Sequence, residues 1–135
     1  MLIDANTQIT DDISGVADGV TNGGGGPNPV SNALWESPSG EQSLGGGIFT
    51  NPESGNDLDG IYSDTITLNR FSENGTWTLV KFFTGDESGN TKTFSTDELD
   101  ALGIQTTFEV AGGIEDIAAP KLISYDLSSY AIDLS

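Results

Sequence analysis

One stretch, Gly75 to Asn90, written GTWTLVKFFTGDESGN, limits what this chain can become. Trp77, Leu79 and Lys81 fall on one side of an extended segment, Val80 and Phe82 fall on the other, and Phe83 follows. A strand that is apolar on both faces needs cover on both, so it belongs at the centre of a sheet. It then breaks into Thr84-Gly85-Asp86-Glu87-Ser88-Gly89-Asn90, where glycines supply the turns and oxygen-bearing side chains crowd together. A core strand thus carries an acidic, glycine-jointed loop at one end.

The rest of the chain reads as short extended pieces cut by turns. Leu2 to Thr10 places Ile3, Ala5, Thr7 and Ile9 on one face, a half-buried strand that runs into the acidic turn Asp11 to Val16. Ala17 to Asn32 is a glycine run with two prolines, read as a loop; it lacks the GK[ST] ending of a phosphate cradle. Ala33 to Glu36 is a strand stopped by Ser37-Pro38-Ser39-Gly40, and Leu44 to Thr50 is an edge or bulged strand weakened by its glycines. A third acidic turn, Asn51 to Gly60, precedes the alternating Ile61 to Leu68, with Tyr62, Asp64, Ile66 and Leu68 on one side. Beyond the central strand, Thr93 and Phe94 are extended, Thr96 to Leu102 is a short helix ended by Gly103, and Ile104 to Val110 is the last strand of the sheet. Ala111 to Pro120 reads as a linker and Lys121 to Leu134 as further extended sequence. About seven short strands with one helical turn imply an all-β, antiparallel β-sandwich.

Composition narrows the chemistry. In 135 residues there are 21 acidic side chains against Arg70, Lys81, Lys92 and Lys121, a formal charge of -17 that opposes nucleic acid and anionic membrane surfaces. Cysteine and histidine are absent, which removes disulfides, thiolate metal sites, Ser-His and Cys-His nucleophiles and the usual catalytic zinc centres. No apolar run is long enough to span a bilayer as a helix. With no cleft-building loops in view, a carboxylate pair such as Asp57 and Asp59 makes a poor glycosidase, and the expectation is that the chain is not an enzyme.

Six segments in order carry a family resemblance: Asp11 to Val16, Ser37 to Gly40, Gly75 to Trp77, Asp86 to Asn90, Leu99 to Ile104 and Asp116 to Ser124. Together the chain resembles the immunoglobulin-like repeat found in tandem in many large bacterial surface and secreted proteins. The resemblance implies a non-catalytic structural or adhesion module, extracellular, whose partners are neighbouring repeats of the same protein. One departure is that the family's opening segment, Asp116 to Ser124, stands at the end. On that reading residues 1–110 are a sandwich repeat without its own first strand, 111–120 an inter-repeat linker, and 121–135 the first strand of the following repeat. The tail then folds back, stays disordered, or pairs with a second copy in a homo-oligomer formed by strand exchange.

If strands alternate in direction, as the resemblance suggests, the three acidic turns open at the same end. Asp11, Asp12, Asp86 and Asn90, with Glu53, Asn56, Asp57 and Asp59 in reach, offer the oxygen ligands that calcium takes. The plainer reading is that these are solvated turns whose Asx residues bond their own backbone. Asp57-Leu58-Asp59-Gly60 resembles part of an EF-hand loop but lacks the full spacing and closing Glu. Trp35 and Trp77 are read first as core; exposed, they would stack on a sugar, so the alternative function is a carbohydrate-binding sandwich module binding a glycan, appended to a secreted enzyme or adhesin.

Overall fold

A computed structural model describes residues 1–16, 31–47, 52–56 and 58–135. Turn residues divide the chain into β1 (Leu2–Thr10), β2 (Asn32–Glu36), β3 (Ser43–Gly47), β4 (Ser54–Asn56), β5 (Asp59–Thr67), β6 (Gly75–Gly85), β7 (Thr91–Ser95), α1 (Thr96–Ala101) and β8 (Thr107–Val110). Two antiparallel sheets result, ordered β1-β5-β4 and β3-β2-β6-β7, with β8 also on β6. The all-β sandwich is therefore present. Alternation does its work in β1, whose odd-numbered residues are half-buried, and in β5, where Tyr62 and Ile66 point inward and are followed by buried Leu68. The sheets close where β3 passes β5, because Gly46 has no side chain and the Asp64 carboxylate occupies the place of its Cβ. At the opposite edge β1 adjoins β5 alone among the strands and the helix, so there the sandwich is splayed.

The central strand is β6, with β2 on one side and β7 and β8 sharing the other. Helix α1 interrupts that shared edge opposite Leu79. The gap is closed by side chain and loop: the Leu79 N–H donates to the Thr106 carbonyl at 2.7 Å, and its carbonyl accepts from the Thr96 hydroxyl at 2.8 Å. Neither backbone group is orphaned by the interruption. The helix starts because Ser95 Oγ accepts from the Glu98 N–H at 3.3 Å, with Asp97 and Glu98 in its first turn, and it stops at Gly103, whose φ of +77° suits glycine. Leu99 is its buried residue, and the helix packs on β6 and β7. Trp77 pairs across strands with Phe108, the rings stacked at 6.0 Å, and Trp35 packs on the same Phe108 at 4.8 Å.

Several expectations change. A register shift against β2 between Leu34 and Trp35 makes Val80 the extra residue of a bulge in β6. Trp35 faces Leu79 while Ala33 faces Phe82, so Phe82 joins Trp77 and Leu79 on the inner face and Lys81 turns outward, the reverse of simple alternation. Ser54 to Asn56, read as part of a turn, forms the short strand β4. The last strand begins at Thr107 rather than Ile104. Residues 111–135 form no strand; Leu122, Ile123, Tyr125, Tyr130, Ile132 and Leu134 are each at least 79% exposed. The glycine-rich loop at 17–30, the end of the 44–50 segment and Asp57 lie outside the described residues.

Candidate functional site

The ends of β1 and β6 bring two of the acidic turns together. Val16 bridges Asp86, and the Glu87 N–H donates to the Gly15 carbonyl at 2.9 Å. Asp11 and Asp86 become neighbours whose charges repel. Each nevertheless bonds within its own loop. Asp11 Oδ2 accepts from the Gly15 N–H at 2.8 Å, the Ile13 N–H at 3.3 Å and the Ser14 hydroxyl at 3.4 Å. Asp86 Oδ1 accepts from the Asn90 and Ser88 N–H groups at 2.8 and 2.9 Å, and Oδ2 from the Asn90 side-chain amide at 2.8 Å. The Gly15 N–H holds Asp11 below the ordinary aspartate range. The Asn90 amide does the same for Asp86, with the nearby Asp11 charge opposing it.

The other candidate ligands disperse. Asp59 pairs with Thr10 at this end and accepts from the Gln8 amide at 3.0 Å, while Asn56 Oδ1 caps the Leu58 and Asp59 N–H groups. Glu53 lies away on the outer face of the first sheet, bonded to Ser63. Asp12 contributes its charge next to Asp11 in the turn, and Asp57 is outside the described residues. Among the described residues no three acidic side chains gather at a point that would hold a metal ion. The structure thus joins Asp11, Asp86 and Asn90, and leaves Glu53 apart.

The opposite end holds a denser polar construction that the charge pattern gave no reason to select. Glu73, only 8% exposed, accepts from the Ser39 N–H at 3.2 Å and the Ser39 hydroxyl at 2.7 Å; its own N–H donates to Gln42 Oε1 at 2.8 Å, and its carbonyl accepts from Trp77 Nε1 at 2.9 Å. The Ser39 and Ser37 hydroxyls hold its carboxyl below the usual range. Gln42 Nε2 donates onward to the Phe71 and Asp116 carbonyls at 3.0 and 2.8 Å. Asn74 exchanges side-chain bonds with the Gly113 backbone, at 3.1 and 2.9 Å, and its N–H donates to Glu115 at 3.0 Å. With the Ile114 N–H on the Arg70 carbonyl at 2.6 Å, these bonds clasp residues 113–116 against the turn before β6. Apart from the Trp77–Glu73 bond, partners lie 29 to 74 positions apart, so no local spacing announces them.

Between the splayed β1 edge and the β7–α1–β8 edge runs a cleft of about 950 Å³, lined by Ile3, Ile9, Phe82, Phe94, Leu102 and Phe108 among others. Trp77 is buried, and Trp35 faces this interior against Phe108 instead of standing out as a flat platform. No helix among the described residues is long and apolar enough to cross a membrane. No family model matches the chain, and no curated protein or solved structure matches it.

Proposed function

We propose that the chain is a non-catalytic structural module, one repeat of a bacterial extracellular, adhesin-like protein whose neighbours are further repeats. The observation that carries the reading is the clasp on residues 113–116. Side chains from two turns and from the outgoing segment itself are spent on setting the direction in which the chain leaves the sandwich, which is what a rod of domains requires and a free-standing binding domain does not. A glycan-binding reading leans on Trp35, whose ring is engaged with Phe108, and so has less support. The test is two copies joined in tandem through residues 111–120, measured by small-angle scattering and NMR relaxation. A defined angle between copies is expected, loosened by Gln42→Ala with Asn74→Ala. Independent tumbling of the two copies would overturn the reading.

Calcium belongs to this proposal. Asp11 and Asp86 offer oxygen donors alone, which suits calcium, and a cation would turn their repulsion into attraction. Because the carboxylates are already engaged in their turns, affinity falls in the weak range of extracellular modules, about 10⁻⁴–10⁻³ M. The melting temperature should rise between EDTA and millimolar calcium by mass action, and Asp86→Asn should abolish the response. An equal response in the variant would remove the ion from this place.

A further inference from the structure

We infer that the exposed tail, Lys121 to Leu134, is a donor strand that pairs with the open edge of β1 in a second copy and fills that copy's cleft. The inference deepens the reading of the chain as an assembly module, because it names the partner. Two unpartnered features meet here. On the donor side Ile123, Tyr125 and Leu127 alternate with polar residues, a bend follows at Ser128, and Tyr130, Ile132 and Leu134 alternate again. Strand periodicity without a sheet is the mark of a segment that finds its sheet elsewhere. On the acceptor side, among the described residues, β1 has a strand on one edge only, and its inner residues Ile3, Ala5, Thr7 and Ile9 are half-buried over the cleft. Strand addition at such an edge satisfies the backbone, and alternate side chains enter the groove.

The clasp sets which copy is served. An added strand antiparallel to β1 starts at the acidic end and finishes where β1 begins. The chain's own tail leaves from the latter end, because Gly113 to Asp116 are bonded to the turn before β6. From there Ile117 to Pro120 reach at most about 14 Å even fully extended, whereas the nine-residue β1 is about 30 Å long. The first apolar triplet, Ile123, Tyr125 and Leu127, therefore falls short of the position in its own copy. A neighbour placed head to tail receives it without strain. Donor tail and acceptor edge are different surfaces of one copy, so the pairing is heterologous and grows into open chains.

Sedimentation of the full chain from micromolar to millimolar protein tests this. The average mass should rise with concentration and rise further with added sodium chloride, because copies of charge -17 repel until screened. Tyr125→Asp with Leu127→Asp, in an exposed segment that forms no strand, should weaken association at least about tenfold and leave the melting temperature of the dilute protein unchanged. Hydrogen exchange should slow in β1 when the wild-type chain associates, and not in the double variant. A monomer at every concentration overturns the inference, as does association that the double variant retains. So does association without slower exchange in β1. A monomeric result leaves the tandem-copy measurement free to succeed, so the two readings fail separately.

Discussion

The two ends of this sandwich are built on opposite plans. At one, Asp11 and Asp86 stand side by side, yet their oxygens are occupied by N–H groups of their own turns, all within four residues. At the other, Glu73, Gln42 and Asn74 reach partners 29 to 74 positions away and tie two turns and the outgoing chain into one body. Local bonds shape a loop but do not hold elements together. Distant bonds do, since each exists only when the whole fold has formed. Acidic density, the more visible signal, therefore marks carboxylates that bond within their own turns, while backbone contacts such as Glu87 to Gly15 and Val16 to Asp86 join the loops there.

The largest disturbance should come from Trp77→Ala, which empties the core and frees the Glu73 carbonyl at once. A loss of about 3–5 kcal/mol in chemical denaturation is expected, with hydrogen exchange accelerating first at the Glu73 end. Equal acceleration at Asp86 would erase the contrast between the ends. Next is Gly75→Ala. With φ of +118° and Pro38 Cγ 2.8 Å from where a Cβ would stand, it should cost about 1–3 kcal/mol through strain and displacement of the Ser37–Gly40 turn. Gly89→Ala at the acidic end, φ +88°, changes a self-contained turn and should leave exchange in the clasp untouched.

The smallest effect is read by acid titration. Glu73, Asp11 and Asp86 all have carboxyls lowered by hydrogen bonds, so the folded chain binds fewer protons than the unfolded one near their ordinary range. Stability is therefore complete above about pH 5 and declines as pH falls through the ordinary carboxylate range near 4 and then through the lowered folded values. Glu73→Gln and Asp86→Asn should each flatten part of that decline in melting temperature against pH. Added salt should blunt the repulsion that Asp86 feels from Asp11 and do little at Glu73, whose shift comes from hydroxyl groups.

What the sequence made legible follows from range. The inward set of β5, the short helix from Thr96, and the stop at Gly103 are local patterns, and each stands in the structure. The bulge at Val80 is not readable, because Leu79, Val80, Phe82 and Phe83 offer apolar side chains to either face; only the partner β2 decides which turn inward. The clasp was hidden for a related reason. Gln42 and Asn74 are ordinary turn residues in the sequence, and they gain a role from what β5, β6 and β8 bring beside them.

The Met1 ammonium donates to the Leu68 carbonyl at 2.8 Å, at the same end where β8 finishes opposite Gly75. Strands β1, β2, β3, β5, β6 and the β7–β8 edge cross the domain in alternate directions, an even set, so the path through residues 1–110 returns to the side on which it began. Parity then governs shape. Copies with such a path, strung together, double back like the folds of a ruler. One further crossing beside β1 makes the set odd, and the string runs straight. A single strand thus determines whether a series of these domains coils up or spans a distance.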